Sequence, residues 1–393
     1  MKALICDNCH FFRDKNGNYF SNSVYNYAFF ERYLKVFDEI KIIGKVRLLE
    51  SSDNTNYMQV NGKGIDVVEL PWYKGMKGML KNLPRLIKIY RKICNDVDCC
   101  VFRIAQVESF LIYLLANIKR KPFAVEVVND PETFDGTVVR NVSIFMTKRM
   151  CAKANGASYV TERFLQNKYP NCAMKKGENY LYFSSYYSSI QLCKEDLFSK
   201  CIEYKPNNVF QIIHIANAID TDVKGHYTLF KAVAEVVKQN YKVEVTCIGD
   251  GSKVPEYKEF IESIGLSNVV KFIGRISNKK IIFDKLRNSN LLVLPTQMEG
   301  LPRVIIEAMS VGLPCISTPI AGIPELLDKQ YLFDPFDSHS FALEIIRLIN
   351  NPSELKKMSM KNLEKAKEFT NDVLEPRRTE FYGKLRNVVE YQK

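Results

Sequence analysis

Leu291–Glu325 reads LLVLPTQMEGLPRVIIEAMSVGLPCISTPIAGIPE. Leu291–Leu294 is an apolar run of strand type, ended by Pro295 and Thr296. Glu299-Gly300-Leu301-Pro302 is a turn, and Pro302 suits the first position of a helix. Arg303–Val311 reads as one short helix stopped by Gly312, and Pro314–Ser317 as a second buried strand. This is a strand–turn–helix–strand unit. In open parallel sheets, ligands collect outside the carboxyl ends of the strands, where helix N-termini point. Free backbone N–H groups there attract phosphates. Two carboxylates, Glu299 and Glu307, flank the turn with seven residues between them. Carboxylates repel phosphates, so their targets are neutral hydroxyls, as on a ribose or a hexose. A solvated helix carboxylate and a loop charge are the plainer reading of the same two residues.

The full frame, PxxxEGxPxxxxEAMxxGxP, resembles the signature of retaining glycosyltransferases of family 4. The resemblance covers Ala157 to Phe336 well and the first hundred residues more loosely. It implies an α/β protein of the GT-B type, with two Rossmann-like doubly wound domains facing a cleft. Residues 1–205 would form the acceptor-side domain and 206–375 the nucleotide-sugar domain. Residues 376–393 would be a terminal helix packing back on the first. Lys205-Pro206-Asn207-Asn208 is strong punctuation between the two.

The bulk numbers bound the alternatives. The chain has 393 residues, 46% hydrophobic and 25% charged, as in an ordinary globular protein of two or three domains. No apolar run reaches the roughly 18 residues that span a bilayer, and the N-terminus shows no signal-peptide pattern. A cytoplasmic protein is expected, and eleven mostly single cysteines in apolar surroundings fit that. Cys6-Asp-Asn-Cys9-His10 has the spacing of a redox or haem-attachment motif. With no export signal and no second CxxC, it is read as a chance pair at the end of a first strand. The net charge of +12 suits nucleic acid, anionic lipid or phosphorylated substrates.

Most of that charge has an address. Between Lys74 and Lys92 lie seven Lys and Arg and no acid, with Met76, Met79, Leu80, Leu83, Leu86, Ile87, Tyr90 and Ile93 recurring at helical steps. An amphipathic helix of this kind suits the inner face of an anionic membrane, or is a domain helix with a solvated basic face. Nucleic acid is disfavoured, because no stacking platform or binding motif accompanies the charge.

Along the chain, Lys2–Cys6 reads as a strand and the segment to Asn22 as a polar loop. Val24–Val36 reads as a helix and Glu39–Ile43 as a strand. No GxGxxG follows the first strand. Phe123–Val128 runs as a strand into Asn129-Asp130-Pro131, so Asp130 is either a site carboxylate or a turn cap. Tyr169–Lys205 has little pattern. A fresh strand, Val209–Ile215, leads through Ala216–Val223 to Lys224-Gly225 and a helix. Val243–Ile248 ends in Gly249-Asp250-Gly251, and Val269–Ile273 in Gly274-Arg275-Ile276.

The resemblance gives these residues roles. Lys224 would grip the donor's phosphates, with Asn217 standing where relatives often carry Arg. Gly249 and Gly251 would line the nucleotide pocket, and Arg275 and Ile276 would border the base. Glu307 would hold ribose hydroxyls and Glu299 those of the donor sugar. Gly300, Leu301, Pro302 and Arg303 would offer the turn. Ser21 and Asn22 lie in the loop that faces the acceptor. Asn129 and Asp130 stand where many relatives carry a His that touches the donor sugar, and Asp130 is the candidate catalytic carboxylate there. No cluster has metal-ligand spacing, so no metal and no cofactor beyond the nucleotide-sugar substrate is expected. The expected activity is transfer of a hexose from that donor to a hydroxyl of a glycan or lipid-linked glycan, in cell-surface polysaccharide, capsule or lipopolysaccharide synthesis. The alternatives are a non-catalytic sugar-nucleotide-binding subunit and a nucleotide-sugar epimerase.

Overall fold

The structure, a computed structural model, describes residues 1–23, 25–49, 57–104, 107–133, 136–198 and 209–392. The punctuation at Lys205–Asn208 and the first residue of the expected Val24–Val36 helix lie outside the described residues. The chain divides into two compact units, one of Met1–Tyr187 with Glu375–Lys393 and one of Ser188–Leu374.

The first unit carries β1 (Lys2–Arg13), β2 (Tyr19–Ser21), β3 (Glu39–Leu48), β4 (Met58–Gln59), β5 (Ile65–Leu70), β6 (Cys99–Ile104), β7 (Phe123–Val127), β8 (Gly156–Tyr159) and β9 (Phe183–Tyr186). Its helices are α1 (Tyr27–Leu34), α2 (Gly75–Asp96), α3 (Val107–Ile118), α4 (Thr137–Cys151), α5 (Phe164–Lys168) and α6 (Cys172–Lys176). Parallel pairing runs β5-β3-β1-β6-β7-β8-β9, with β2 and β4 added antiparallel at one end of β1. The chain first steps outward from β1 through β3 to β5, then recrosses to β6 and steps the other way. The switch point therefore lies between β1 and β6. Strands in such a sheet are covered on both faces and read as continuous apolar runs. Every residue of β6 and of β7 is buried.

Two elements depart from the sequence reading. β1 does not stop at Cys6. A register shift between Cys6 and Cys9 carries the strand past Asp7, and Phe11 and Phe12 resume the buried pattern. The expected polar loop then folds back as β2, with Phe20 opposite Phe12. Helix α1 is also shorter than its apolar stripe. Asn26 caps it, accepting the Phe29 N–H at 2.9 Å.

The second unit carries β10 (Phe210–Ala218), β11 (Val243–Asp250), β12 (Val270–Phe272), β13 (Leu291–Val293) and β14 (Cys315–Ile316). Its helices are α7 (His226–Lys238), α8 (Val254–Ser263), α9 (Lys279–Arg287), α10 (Arg303–Ser310), α11 (Ser338–Ile349) and α12 (Pro352–Ala366). All five strands are parallel in the order β12-β11-β10-β13-β14, which puts the switch point between β10 and β13. Phe210, Leu229, Phe230, Tyr257, Leu291, Val293 and Ile345 are part of its core. The last helix, α13 (Asn371–Gln392), belongs to the first unit from Glu375 onward. There Tyr382 packs on Tyr33 and Phe381 on Phe183, at ring separations of 4.8 and 5.2 Å. No helix among the described residues is long and apolar enough to cross a membrane.

Candidate functional site

The switch point of the second unit gathers the residues that the sequence singles out. Lys224 follows β10 and Glu299 follows β13, the two strands that flank it. The Lys224 ammonium donates to a Glu299 carboxylate oxygen at 2.5 Å and to the Met298 carbonyl at 3.1 Å. The Lys224 and Glu299 side chains are only 26% and 14% exposed.

Backbone fit sets this pair. Gly225 has φ +75°, and a Cβ there would sit 2.0 Å from the Pro295 carbonyl oxygen. Only glycine lets the two strand-end loops approach so closely. Thr296, which sequence reasoning passed over, ties the loops together. Its hydroxyl donates toward the carbonyls of Val223 and Met298, both at 3.1 Å. The Gln297 side-chain amide adds a second tie, donating to the Asp222 carbonyl at 3.2 Å, and the Asp222 carboxylate accepts the Tyr257 hydroxyl of α8 at 2.6 Å. Behind them two buried histidines meet, with ring centres 4.4 Å apart. His214 bonds the Val293 carbonyl at 2.8 Å, while neither ring nitrogen of His226 has a partner among the described residues. Burial drives His214 down to about 4 and His226 to about 2, so both are neutral. With four histidines scattered through the chain and no motif around them, no sequence signal marks this pair.

The turn itself is held from below. Gly300 is buried, and its carbonyl accepts the Gly322 N–H at 2.8 Å. Leu301 is buried, and Pro302 stands just before α10, at the N-cap, rather than inside it. No side chain caps α10; the Ile305 N–H donates to the Pro302 carbonyl at 3.2 Å, and the Arg303 and Val304 amides of the first turn remain for solvent or a ligand. One turn on, Glu307 is half-buried, and its carboxylate makes no hydrogen bond or ion pair among the described residues. Burial lifts it above the ordinary 4.5; Arg303 and Lys279 work against the rise and Asp196 adds to it.

The other loops of this sheet edge stand as follows. Gly249 has φ +139°, and a Cβ would fall 1.7 Å from the Ala216 carbonyl oxygen. Its N–H donates to the Gly274 carbonyl at 2.9 Å. The Gly251 N–H donates to Asp250 at 2.9 Å. Asn217 and Arg275 are exposed, and Ile276 is half-buried.

The remaining expected residues belong to the first unit. Ser21 is buried and its hydroxyl meets that of Ser23 at 2.8 Å, while Asn22 is exposed. Asp130 is buried with both oxygens engaged. Lys168 and the Tyr169 hydroxyl each donate to it at 2.6 Å, and the Glu132 N–H at 3.1 Å. The last bond is the turn cap that Pro131 suggests.

Sequence reasoning missed a charge cluster at the switch point of this unit. Arg103, at the end of β6, donates to Asp7 of β1 at 2.7 Å and forms an ion pair with Glu126 of β7. Glu126 also accepts from the hydroxyls of Tyr187, at 3.0 Å, and Tyr382. Burial pushes the Glu126 carboxyl up, but Arg103 and these hydroxyls hold it below the ordinary value. In the sequence Arg103 only closes the short apolar run Cys99–Phe102, and nothing else there marks the cluster. Cys6 and Cys9, beside the β1 irregularity, are free buried thiols raised by burial, the inert state. Among the described residues no three His, Cys, Asp or Glu are grouped so as to hold a metal ion.

Comparison with known proteins adds a matching domain and a fold. Residues 203–366 match the family Glycosyl transferases group 1. Protein CapJ of Staphylococcus aureus is 26% identical over 340 residues, which cover 85% of this chain and 82% of CapJ. Sucrose-phosphate synthase from Thermosynechococcus elongatus superimposes with a TM-score of 0.71 at 11% identity, over 98% of this chain and 99% of that one. HepE of Anabaena, solved with UDP and glucose, superimposes with a TM-score of 0.64 at 17% identity, over 100% and 99%. Residues 203–366 thus form a glycosyltransferase group 1 domain, in a chain whose fold is that of the GT-B glycosyltransferases, with two Rossmann-like units.

Proposed function

We propose that the chain is a retaining, metal-independent hexosyltransferase of family 4. It would move a sugar from a nucleotide-sugar donor to a hydroxyl of a glycan or lipid-linked glycan during cell-surface polysaccharide synthesis. The observation that carries this reading is the Lys224–Glu299 pair at the switch point, followed in α10 by Glu307, whose carboxylate has no hydrogen bond or ion pair among the described residues. HepE, of the same fold, was solved with UDP-glucose, which favours a uridine donor here.

Each residue then has a physical task. As the bond to the sugar breaks, negative charge grows on the leaving nucleoside diphosphate. Lys224 and the first-turn amides of α10 take that charge, with no reorganisation at the moment of reaction. Glu307 accepts the ribose hydroxyls. Glu299 orients hydroxyls of the donor sugar, and its charge favours an oxocarbenium-like carbon. In the free protein Glu299 neutralises Lys224, so donor phosphate displaces a carboxylate from the ammonium. Gly249, Gly251, Arg275, Ile276 and Asn217 border the nucleotide, and Ser21 and Asn22 serve the acceptor. Asp130 could join the reaction only if Lys168 and Tyr169 released it, so it is assigned to positioning. The work is placed in the cytoplasm, with the chain peripheral at the inner membrane face.

The test is a product assay with sugar-labelled UDP-, GDP-, ADP- and dTDP-donors and lipid-linked acceptors. The new bond is read by NMR. Label transferred with the donor's anomeric configuration supports the reading. Inverted product removes the retaining mechanism. Isomerised donor without transfer points to an epimerase, and binding without turnover to a non-catalytic subunit.

A further inference from the structure

The first unit has an outer face that this chemistry does not use. The crossovers β5–α2–β6, β6–α3–β7 and β7–α4–β8 all step the same way across the sheet. Right-handed connections then put α2, α3 and α4 side by side on one face. Phe110 of α3 meets Phe145 of α4, at a ring separation of 6.3 Å. The inner sides bury Leu86, Tyr90, Ile112, Tyr113, Met146 and Met150.

The outer sides are apolar as well. Val138 is 76% exposed, Ile118 75%, Phe145 62% and Leu80 58%. Met76 and Val142 also face outward. Scattered exposed apolar residues are ordinary, but a group of them carried by three neighbouring helices and ringed by cations marks an interaction surface. Cations surround it. Lys77, Lys81, Arg85, Lys88 and Arg91 are exposed along α2, and Lys148 and Arg149 end α4. Acids are nearly absent. α4 has none. Asp96, at the end of α2, is held by Lys41, and Glu108 of α3 by Lys45 and the Tyr73 hydroxyl.

We infer that this three-helix face seats the enzyme on an anionic lipid surface, with Leu80, Ile118, Val138, Val142 and Phe145 entering the headgroup layer. For its purpose the inference rests on the lipid-linked acceptor reading above. An amphipathic surface with cations around apolar side chains binds such bilayers by both terms together. A second copy of this face would bring like charges together. A nucleic acid offers no partner for the exposed Val and Ile side chains.

The test is sedimentation of the full chain with phosphatidylcholine vesicles and with phosphatidylcholine–phosphatidylglycerol vesicles. The expected result is binding to the second only, weakened as ionic strength rises from about 0.1 M to about 1 M, where the screening length falls from ~10 to ~3 Å. Lys77→Glu with Lys81→Glu should weaken it by about tenfold or more. Val142→Ser with Phe145→Ser should weaken it by a similar factor while leaving the charge unchanged. All four side chains are exposed, so both variants should keep the wild-type melting curve. Absence of wild-type binding, or equal binding by the variants, overturns the inference. So does a dimer in solution that Phe145→Ser dissolves, or an acidic protein that displaces the vesicles from this face. Donor-induced shifts in melting temperature, measured without vesicles, keep this result separate from the transferase reading.

Discussion

Lys224 holds its charge between a carboxylate and a carbonyl, at the end of a strand where phosphate is expected. Replacing it by alanine should lower turnover by more than tenfold, about 1.4 kcal/mol of barrier. A wild-type rate in a steady-state assay would remove it from the site. Glu299→Gln should also slow turnover but leave UDP affinity equal or higher, because the ammonium loses its internal anion. Calorimetry with UDP reads that difference. The two histidines behind the loop give a separate prediction. Unfolded, they take up protons near 6.5; folded, burial holds them at about 4 and about 2. Their contribution to stability is therefore complete above about pH 6.5 and lost as pH falls toward those values, by at most ~1.4 kcal/mol per pH unit for each. His226→Phe should flatten the fall in urea midpoint between about pH 6.5 and 5. An unchanged slope would mean that the ring takes up its proton alike in the folded and unfolded states. At this scale Glu299, Glu307 and Lys224 were legible, because each stands in a recognisable frame. Arg103, Asp7 and Glu126 were not, because their partners are 23 and 96 residues away in sequence.

Elements were legible where period and punctuation agree. The Leu291–Glu325 unit appears as expected, with α10 ending one residue early at Ser310 and Pro302 just outside it. β1 was misjudged because Asp7 and Asn8 interrupt an apolar run that a strand irregularity then bridges. β9 was missed because Phe183–Tyr186 is short and largely polar. α4 carries no clear apolar stripe, since Val138, Val142 and Phe145 face outward while Ser143 and Thr147 are buried, so helical period does not show. The loop that presents Lys224 depends on a single backbone position. Gly225→Ala would strain φ and press a methyl group against Pro295. Donor binding should be lost with a lowered melting temperature. If that variant binds donor normally, the close approach of the two loops is not what sets the site.

Across the whole chain, division into two doubly wound units follows from strand–helix alternation and a fresh strand near Phe210. The polar heart of the first unit does not follow from pattern. It brings together β1, β6, β7 and α13, and truncating Glu126 to alanine leaves Arg103 and the hydroxyls of Tyr33, Tyr187 and Tyr382 without their shared acceptor. The expected loss is about 3–5 kcal/mol, read as a lowered urea midpoint for the first unit. A loss below about 1 kcal/mol would mean that water replaces the carboxylate. The claim beneath the proposed chemistry is that a nucleotide sugar sits at the Glu299–Glu307 turn. It is tested most directly by melting the wild-type chain and Glu307→Ala with UDP-, GDP-, ADP- and dTDP-sugars, since bound donor raises the melting temperature. One nucleotide should stabilise the wild type and fail to stabilise the variant, whereas equal shifts for both proteins, or none for any donor, would contradict it.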